Sequence, residues 1–382
     1  MIKQNRLPVI LCLCYCFIEI LLSTEIVYLI QGKYLSFIKY IFAICAFLYF
    51  LILLFNTKLG KSELYLFLFL LVAVGVILFA KSLHIFMLVI FLYLFRNYKF
   101  EHLLKAFYVM LWIALALTVL LSLTNIYPNI NHSRQGITRH ALGFATPTLG
   151  QSVLLFLLIS KFYISKRNMS VLSILLYAGL MIAMYHFTAG RTGFYLGVLA
   201  IFVIIMYKIF GNEKHAEKFF KNNVIKVIFI SIPLICLFLS LLMTKLFADA
   251  NAFAIKLNEM LSTRLLLQKN AFAERNIFLF GQKIDWFNEF GIYIGIDNSY
   301  FYHLFNYGII VFAFSLAYYC FIIKIALKNK DYCFVLIALI ILFDALFEPY
   351  LIDFKYNFFI FYPILFKNKK EEHNRLICKA CT

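Results

Sequence analysis

"MYHFTAGRTGFYLGVLAIFVIIMY" occupies Met184–Tyr207. A helix needs about 20 predominantly apolar residues to cross a bilayer, and the residues on both sides of the Ala-Gly-Arg turn meet that demand. Arg191 stands in the middle, between Gly190 and Gly193. A charged residue at the centre of a spanning helix costs about 2.5–3.5 kcal/mol on insertion scales. The stretch therefore reads as two spans, Val171–Phe187 and Thr192–Phe210, that meet at a membrane surface with Arg191 at the turn. A chain that re-enters lipid after so short a turn is polytopic.

The composition agrees. Of 382 residues, 64% are hydrophobic and 14% charged, against about 45–50% and about 25% in soluble domains. One soluble core cannot bury that excess, so the expectation is an all-α, polytopic integral membrane protein, a single domain over residues 1–382. The formal charge of +18 does not point to nucleic acid, because the basic residues are spread over short loops. The nine cysteines make no disulfide framework: most lie in or beside apolar runs, and Cys378 and Cys381 read as a free thiol pair in the tail. The first apolar stretch, Leu7–Ile30, is too long for the h-region of a cleaved signal, which is about 7–15 residues.

Outward from the quoted stretch, twelve segments read as transmembrane helices. They are Leu7–Ile30, Tyr34–Phe55, Leu64–Ala80, Leu83–Phe95, Leu103–Thr124, Thr148–Ile164, Val171–Phe187, Thr192–Phe210, Val224–Leu246, Ser299–Ile323, Tyr332–Phe347 and Phe354–Phe366. Alternate connections, starting with the N-terminus, carry most of the loop Lys and Arg, with Lys208, Lys214, Lys218, Lys221 and Lys226 the densest group. The positive-inside rule then puts both termini in the cytoplasm. Three features fall on the outer face: the loop 125–147, the turn at Arg191, and the long loop 247–298.

The outer arginines run against that bias and sit near glycines. "NHSRQGITRHALGFATPTLG" holds His132, Arg134, Arg139 and His140, then Gly143, Pro147 and Gly150. A guanidinium presents a planar fork that matches phosphate oxygens and stays charged. Arg191 opens a helix, where unpaired N–H groups favour an anion, and Gly190 and Gly193 leave room for one. Headgroup anchoring is the plain alternative for the arginines. For Gly193 and Gly197 it is helix packing through their G-x-x-x-G spacing.

In the long loop, Phe253, Leu257, Leu261, Leu265 and Phe272 recur at helical spacing, with Lys256, Glu259, Arg264 and Lys269 off the stripe. This predicts an amphipathic helix lying on the outer leaflet. Asp297 stands at the mouth of the span beginning at Ser299, either as a general base or as the N-cap of that helix. Asp344, Glu348 and Asp353 gather at the outer turn before the last span, where they could pair with the arginines, serve as base or cap the turn; Glu348, Asp353, His132 and His140 are the other base candidates. Glu19, Glu25, His84, His186 and His303 read as single structural or interfacial groups. The histidines have no metal spacing, and no metal or cofactor is expected.

Arg134 and Arg139 followed by "LGFATPTLG", and "TAGRTGFYLG" opening the next helix but one, resemble the O-antigen and capsular polysaccharide polymerases of the O-antigen ligase/polymerase superfamily. "TRLLLQKNAFAERNIFLFG" and "GIDNSYFYHLFNYGIIVF" are similar to that family's large outer loop and the helix after it. Ligases commonly carry His-Asn near the end of the loop; here Asp297–Asn298 takes the place, which leans toward polymerase. The resemblance implies a metal-independent glycosyltransferase of the plasma (inner) membrane. It would join polyprenyl-diphosphate-linked oligosaccharides on the outer face, for capsule, exopolysaccharide or O-antigen. Arg134, Arg139, Arg191 and Arg264, with Gly190 and Gly193, would hold the diphosphate, and Asp297 with Arg191 would be catalytic. Membrane lipid, a chain-length regulator and a flippase of the same pathway are the implied partners. A ligase, or a flippase for the same lipid-linked sugar, is the alternative. Transporters usually show two similar halves, and the chain has no internal repeat.

Overall fold

The structure, a computed structural model, describes residues 6–57, 60–126, 129–134, 137–211, 217–261, 263–285 and 294–363. These residues are mostly helical. Among them, eight helices are long and apolar enough to cross a membrane. The single domain 1–382 contains two compact units: Met1–Leu59, Met87–Ile209 and Phe354–Thr382 form one, and Gly60–Phe86 with Phe210–Asp353 the other.

In the first unit α1 (Leu7–Leu21) is followed by the short α2 (Ile26–Leu29) and by α3 (Gly32–Phe55). The expected first span over Leu7–Ile30 is therefore shorter than drawn. Thr24 bridges to Phe144, and the Ala145 N–H donates to the Ser23 carbonyl, so residues 23–25 turn aside from the helix axis to pair with another segment. Between α6 (Phe100–Leu123) and α7 (Leu149–Ser165) a hairpin of β1 (Asn131–Arg134) and β2 (Ile137–His140) pairs His132 with Arg139 and Arg134 with Ile137. Helix α7 is the axis of the unit, with nearly every residue buried. Helices α8 (Val171–Thr188) and α9 (Arg191–Phe210) follow, joined by a two-residue turn with Ala189 at φ +45°.

The expected last span, Phe354–Phe366, forms no spanning helix among the residues described. Turns and one 3-10 turn, Phe358–Phe361, carry the chain. Its aromatic rings are consumed by the core instead. Phe354, Phe358, Phe359, Phe361 and Tyr362 are each at most 2% exposed, and Phe358 stacks on Phe107 with centroids 4.5 Å apart. Offset stacking of this kind adds about 0.5–1.5 kcal/mol beyond burial.

The second unit holds α4 (Lys61–Ala80), α10 (Asn223–Ala248), α11 (Ala252–Met260), α12 (Arg264–Glu274), α13 (Ser299–Tyr302), α14 (Gly308–Lys328) and α15 (Tyr332–Asp344). The fourth and eleventh expected spans are short helices: α5 (His84–Leu94) has 11 residues and α15 has 13. The tenth is interrupted by a π-helical segment, His303–Tyr307, ahead of Gly308. The single amphipathic helix expected in the long loop is two helices, α11 and α12. Thr263 at φ +66° breaks it, and the Asn258 side chain accepts from the Leu266 N–H to cap the second. Phe253 is 63% exposed whereas Leu265 is 3% exposed, so the stripe does not stay on one face. On α3, α4 and α10 large apolar side chains such as Phe37, Leu71 and Phe238 stay exposed, as on helices that face lipid.

Candidate functional site

The predicted site residues fall into two clusters, one in each unit. In the first unit the cluster forms around the α8–α9 turn. The Arg139 Nε donates to the Thr188 carbonyl at 2.9 Å, and the Gly190 N–H donates to Thr188 Oγ1 at 3.2 Å. Thr188 thus organises the last residues before the helix that Arg191 opens. Arg191 is half-buried and, among the described residues, has no hydrogen-bond or ion-pair partner. It sits at the N-terminus of α9, where the helix's partial positive charge gathers. Arg134 ends β1; its side chain lies outside the described residues.

The side of Gly193 that lacks a side chain faces Gln151. A Cβ there would lie 2.6 Å from the Gln151 Cβ, and one at Gly197 would lie 2.8 Å from the Met181 sulfur. Both glycines admit close helix packing, the alternative their G-x-x-x-G spacing offered. At Gly190 the nearest atoms to such a Cβ are Gln151 Cγ and Thr188 Oγ1, both at 3.2 Å, so that glycine also serves a tight approach.

Two residues of this unit were not assigned a site role from sequence. Gln151 is fully buried on α7; its Nε2 donates to the Met181 carbonyl at 3.3 Å while its Oε1 has no partner among the described residues. The signal was an amide near the start of an otherwise apolar run. Glu25 lies beyond the end of α1, 3% exposed, with its N–H donated to the Gly143 carbonyl and its Oε2 unpartnered. Burial pushes its pKa up to about 7, because a carboxylate in low dielectric loses hydration.

In the second unit Arg264 is the hub. It opens α12, is 5% exposed, and its Nη2 donates to Glu348 Oε1 at 2.7 Å and its Nε to Asp297 Oδ2 at 3.2 Å. Burial disfavours the guanidinium charge, but Glu348 and then Asp297 outweigh it and hold the group protonated. Nη1 is buried and has no partner among the described residues. Arg264 is thus a buried cross-link between carboxylates rather than an open two-pronged clamp for a diphosphate.

Asp297 is not the cap of the next helix. Asn298 is: its Oδ1 accepts from the N–H groups of Tyr300 and Phe301, and its Nδ2 donates to Ser240 Oγ and to the Leu346 carbonyl, each at 3.0 Å. The Asp297 side chain is 21% exposed and faces Arg264. The Ser299 hydroxyl donates to the Glu348 carbonyl and accepts from the Leu351 N–H, so the turn that carries Glu348 is bound to the same helix start. His84 Nε2 lies 3.1 Å from the Ile352 carbonyl and 3.9 Å from Asp353, which leaves Asp353 in a local pair apart from the Arg264 contacts.

No protein-family model, curated protein or solved structure matches this chain. Functional assignment therefore rests on the two clusters.

Proposed function

We propose that this protein is a multi-pass glycosyltransferase of the plasma membrane that polymerises polyprenyl-diphosphate-linked oligosaccharides on its outer face. Both termini would lie in the cytoplasm. The growing glycan leaves its diphosphate carrier and is taken by a hydroxyl of the next carrier-linked unit. The leaving diphosphate gains negative charge as the bond breaks, so preorganised cations are the natural stabiliser. The observation that carries the reading is Arg191: a half-buried guanidinium without a partner among the described residues, at a helix N-terminus, one turn from the Arg139 side chain that Thr188 holds. Two lipid-tethered reactants gain much of their rate from orientation, and no metal is required for this chemistry.

In this reading Arg191 and Arg139 grip the diphosphate, with Arg134 on the same hairpin; in the second unit Asp297, held by Arg264, is the candidate base. Arg264 is a positioning residue that orients Asp297. A ligase shares the same donor chemistry; a flippase would move the lipid without joining it.

The test is synthesis by purified protein supplied with lipid-linked repeat units. Arg191→Lys keeps the charge and loses the fork, so both it and Arg191→Ala are expected to lose about 10²–10³ in rate, as when one oxyanion donor is deleted. Undiminished polymer from both variants at equal expression makes Arg191 a headgroup anchor and removes the reading. Movement of the lipid without joining selects the flippase.

A further inference from the structure

At the end of the first unit where α6 begins and α7 ends lies a cavity of about 320 Å³. Its charged lining is Lys105, Lys166 and Arg167 against the single carboxylate of Glu101, with Tyr163 and Asn168 beside them. Among the described residues, none of Glu101, Lys105 and Arg167 has an ion-pair or side-chain hydrogen-bond partner. Three cations surround a concave space, and among the described residues none is ion-paired with the one acid present. Lys166 ends α7 at φ +46°, ψ −128°, a backbone region that side chains rarely adopt and that costs on the order of 1–3 kcal/mol. That geometry sets its ammonium over the Tyr163 ring, 5.4 Å from the centroid.

The second observation is on α6. Glu101, Lys105, Val109 and Ile113 recur every four residues and are exposed, and Leu120 continues the row at 59% exposure. Residues four apart share one helix face. One exposed stripe thus starts with charge at the cavity and becomes purely apolar along the helix. At about 320 Å³ the cavity is at the small end of ligand sites, large enough for a phosphate and its glycerol. Basic pockets between helices at the membrane surface are suited to phospholipid headgroups.

We propose that this cavity is a binding site for an anionic phospholipid. Lys105, Lys166 and Arg167 contact the phosphodiester, and an acyl chain lies along the Val109–Ile113–Leu120 stripe. Glu101 opposes the anion and limits the affinity. The site is independent of the Arg191 cluster and of any glycosyl transfer.

The experiment reads lipid retention by native mass spectrometry. The full-length protein is held in nanodiscs of phosphatidylcholine containing phosphatidylglycerol. The parent is expected to retain phosphatidylglycerol saturably and to discriminate against phosphatidylcholine. Lys105→Gln with Arg167→Gln should weaken retention about 25-fold, from about fivefold per basic residue near an anionic surface. Lys328→Gln, at the end of α14, should change nothing. Glu101→Gln should strengthen retention about fivefold, a gain that misfolding cannot produce. Equal retention by the double variant, or no gain from Glu101→Gln, overturns the proposal. Soluble glycerol phosphate binding as tightly as the lipid overturns the lipid as ligand.

Discussion

Arg264 serves two carboxylates, and removing it takes the guanidinium from a buried Glu348 and a part-buried Asp297. Breaking a buried pair from one side costs about 3–5 kcal/mol, because the remaining charge is uncompensated. Arg264→Ala is expected to lower stability by that amount in detergent melting. Arg264→Ala with Glu348→Gln should recover part of it, since Glu348 is one of the two charges left behind. Additive losses in the double variant would show that the pair is not coupled. Asp297→Asn is informative because Asn298 supplies the helix cap: a folded Asp297→Asn protein without synthesis supports the base, and full synthesis removes it. Glu25 gives a pH signature. Its folded pKa is raised to about 7 from 4.5, so the native state holds a proton that the unfolded chain has released between those values. The stability contributed by that proton is fully present below about pH 4.5 and is lost as pH rises through about 7. Glu25→Gln should flatten melting temperature against pH across this window; an unchanged profile refutes the assignment.

At the scale of elements, the end of the long loop is held to the break between α13 and α14 by main chain. The Ile309 N–H donates to the Phe278 carbonyl and the Gln282 N–H to the Phe305 carbonyl. Gly281 and Gly308 face each other across this seam, at φ +79° and +87°. A Cβ on Gly308 would lie 2.3 Å from the Leu279 oxygen, so backbone, not a flexible side chain, has to move. Gly308→Ala is expected to cost about 2 kcal/mol or more, from the positive φ and the overlap together. Limited proteolysis within 276–285 should accelerate in that variant; unchanged cleavage would mean that the seam does not hold the loop. The hydrophobic stripe from Phe253 to Phe272 correctly indicated helix here. It missed the break, because Thr263 carries no propensity signal strong enough to mark a left-handed residue and the capping group, Asn258, belongs to the preceding helix.

At the scale of the whole molecule the open quantity is sidedness. The charge alternation predicts that Lys283, before the helical stretch Ser299–Lys328, and Asn329, just after it, lie on opposite sides of the membrane. Both positions are exposed. Single cysteines at Lys283 and Asn329, in a chain cleared of its nine native cysteines, should label oppositely: 283 with an impermeant reagent on intact cells, 329 only after permeabilisation. Labelling of both from outside breaks the proposed topology.

Hydropathy and loop charge, read along the chain, determined the helical class, the positions of the long apolar helices and the turn that puts Arg191 at a helix start. These are local properties: a sum over about 20 neighbours decides whether a helix can face lipid. The same sum cannot distinguish lipid from a packed core. It drew Phe354–Phe366 as a span where the tertiary structure uses its aromatic rings to fill the first unit. Which particular groups pair lies further outside its reach. Arg264 meets partners 33 and 84 residues away, Gly193 is occupied by Gln151 from another helix, and Asn298 takes the cap that Asp297 was a candidate for. Such choices depend on which distant side chains arrive at the same place, and only the folded chain decides that.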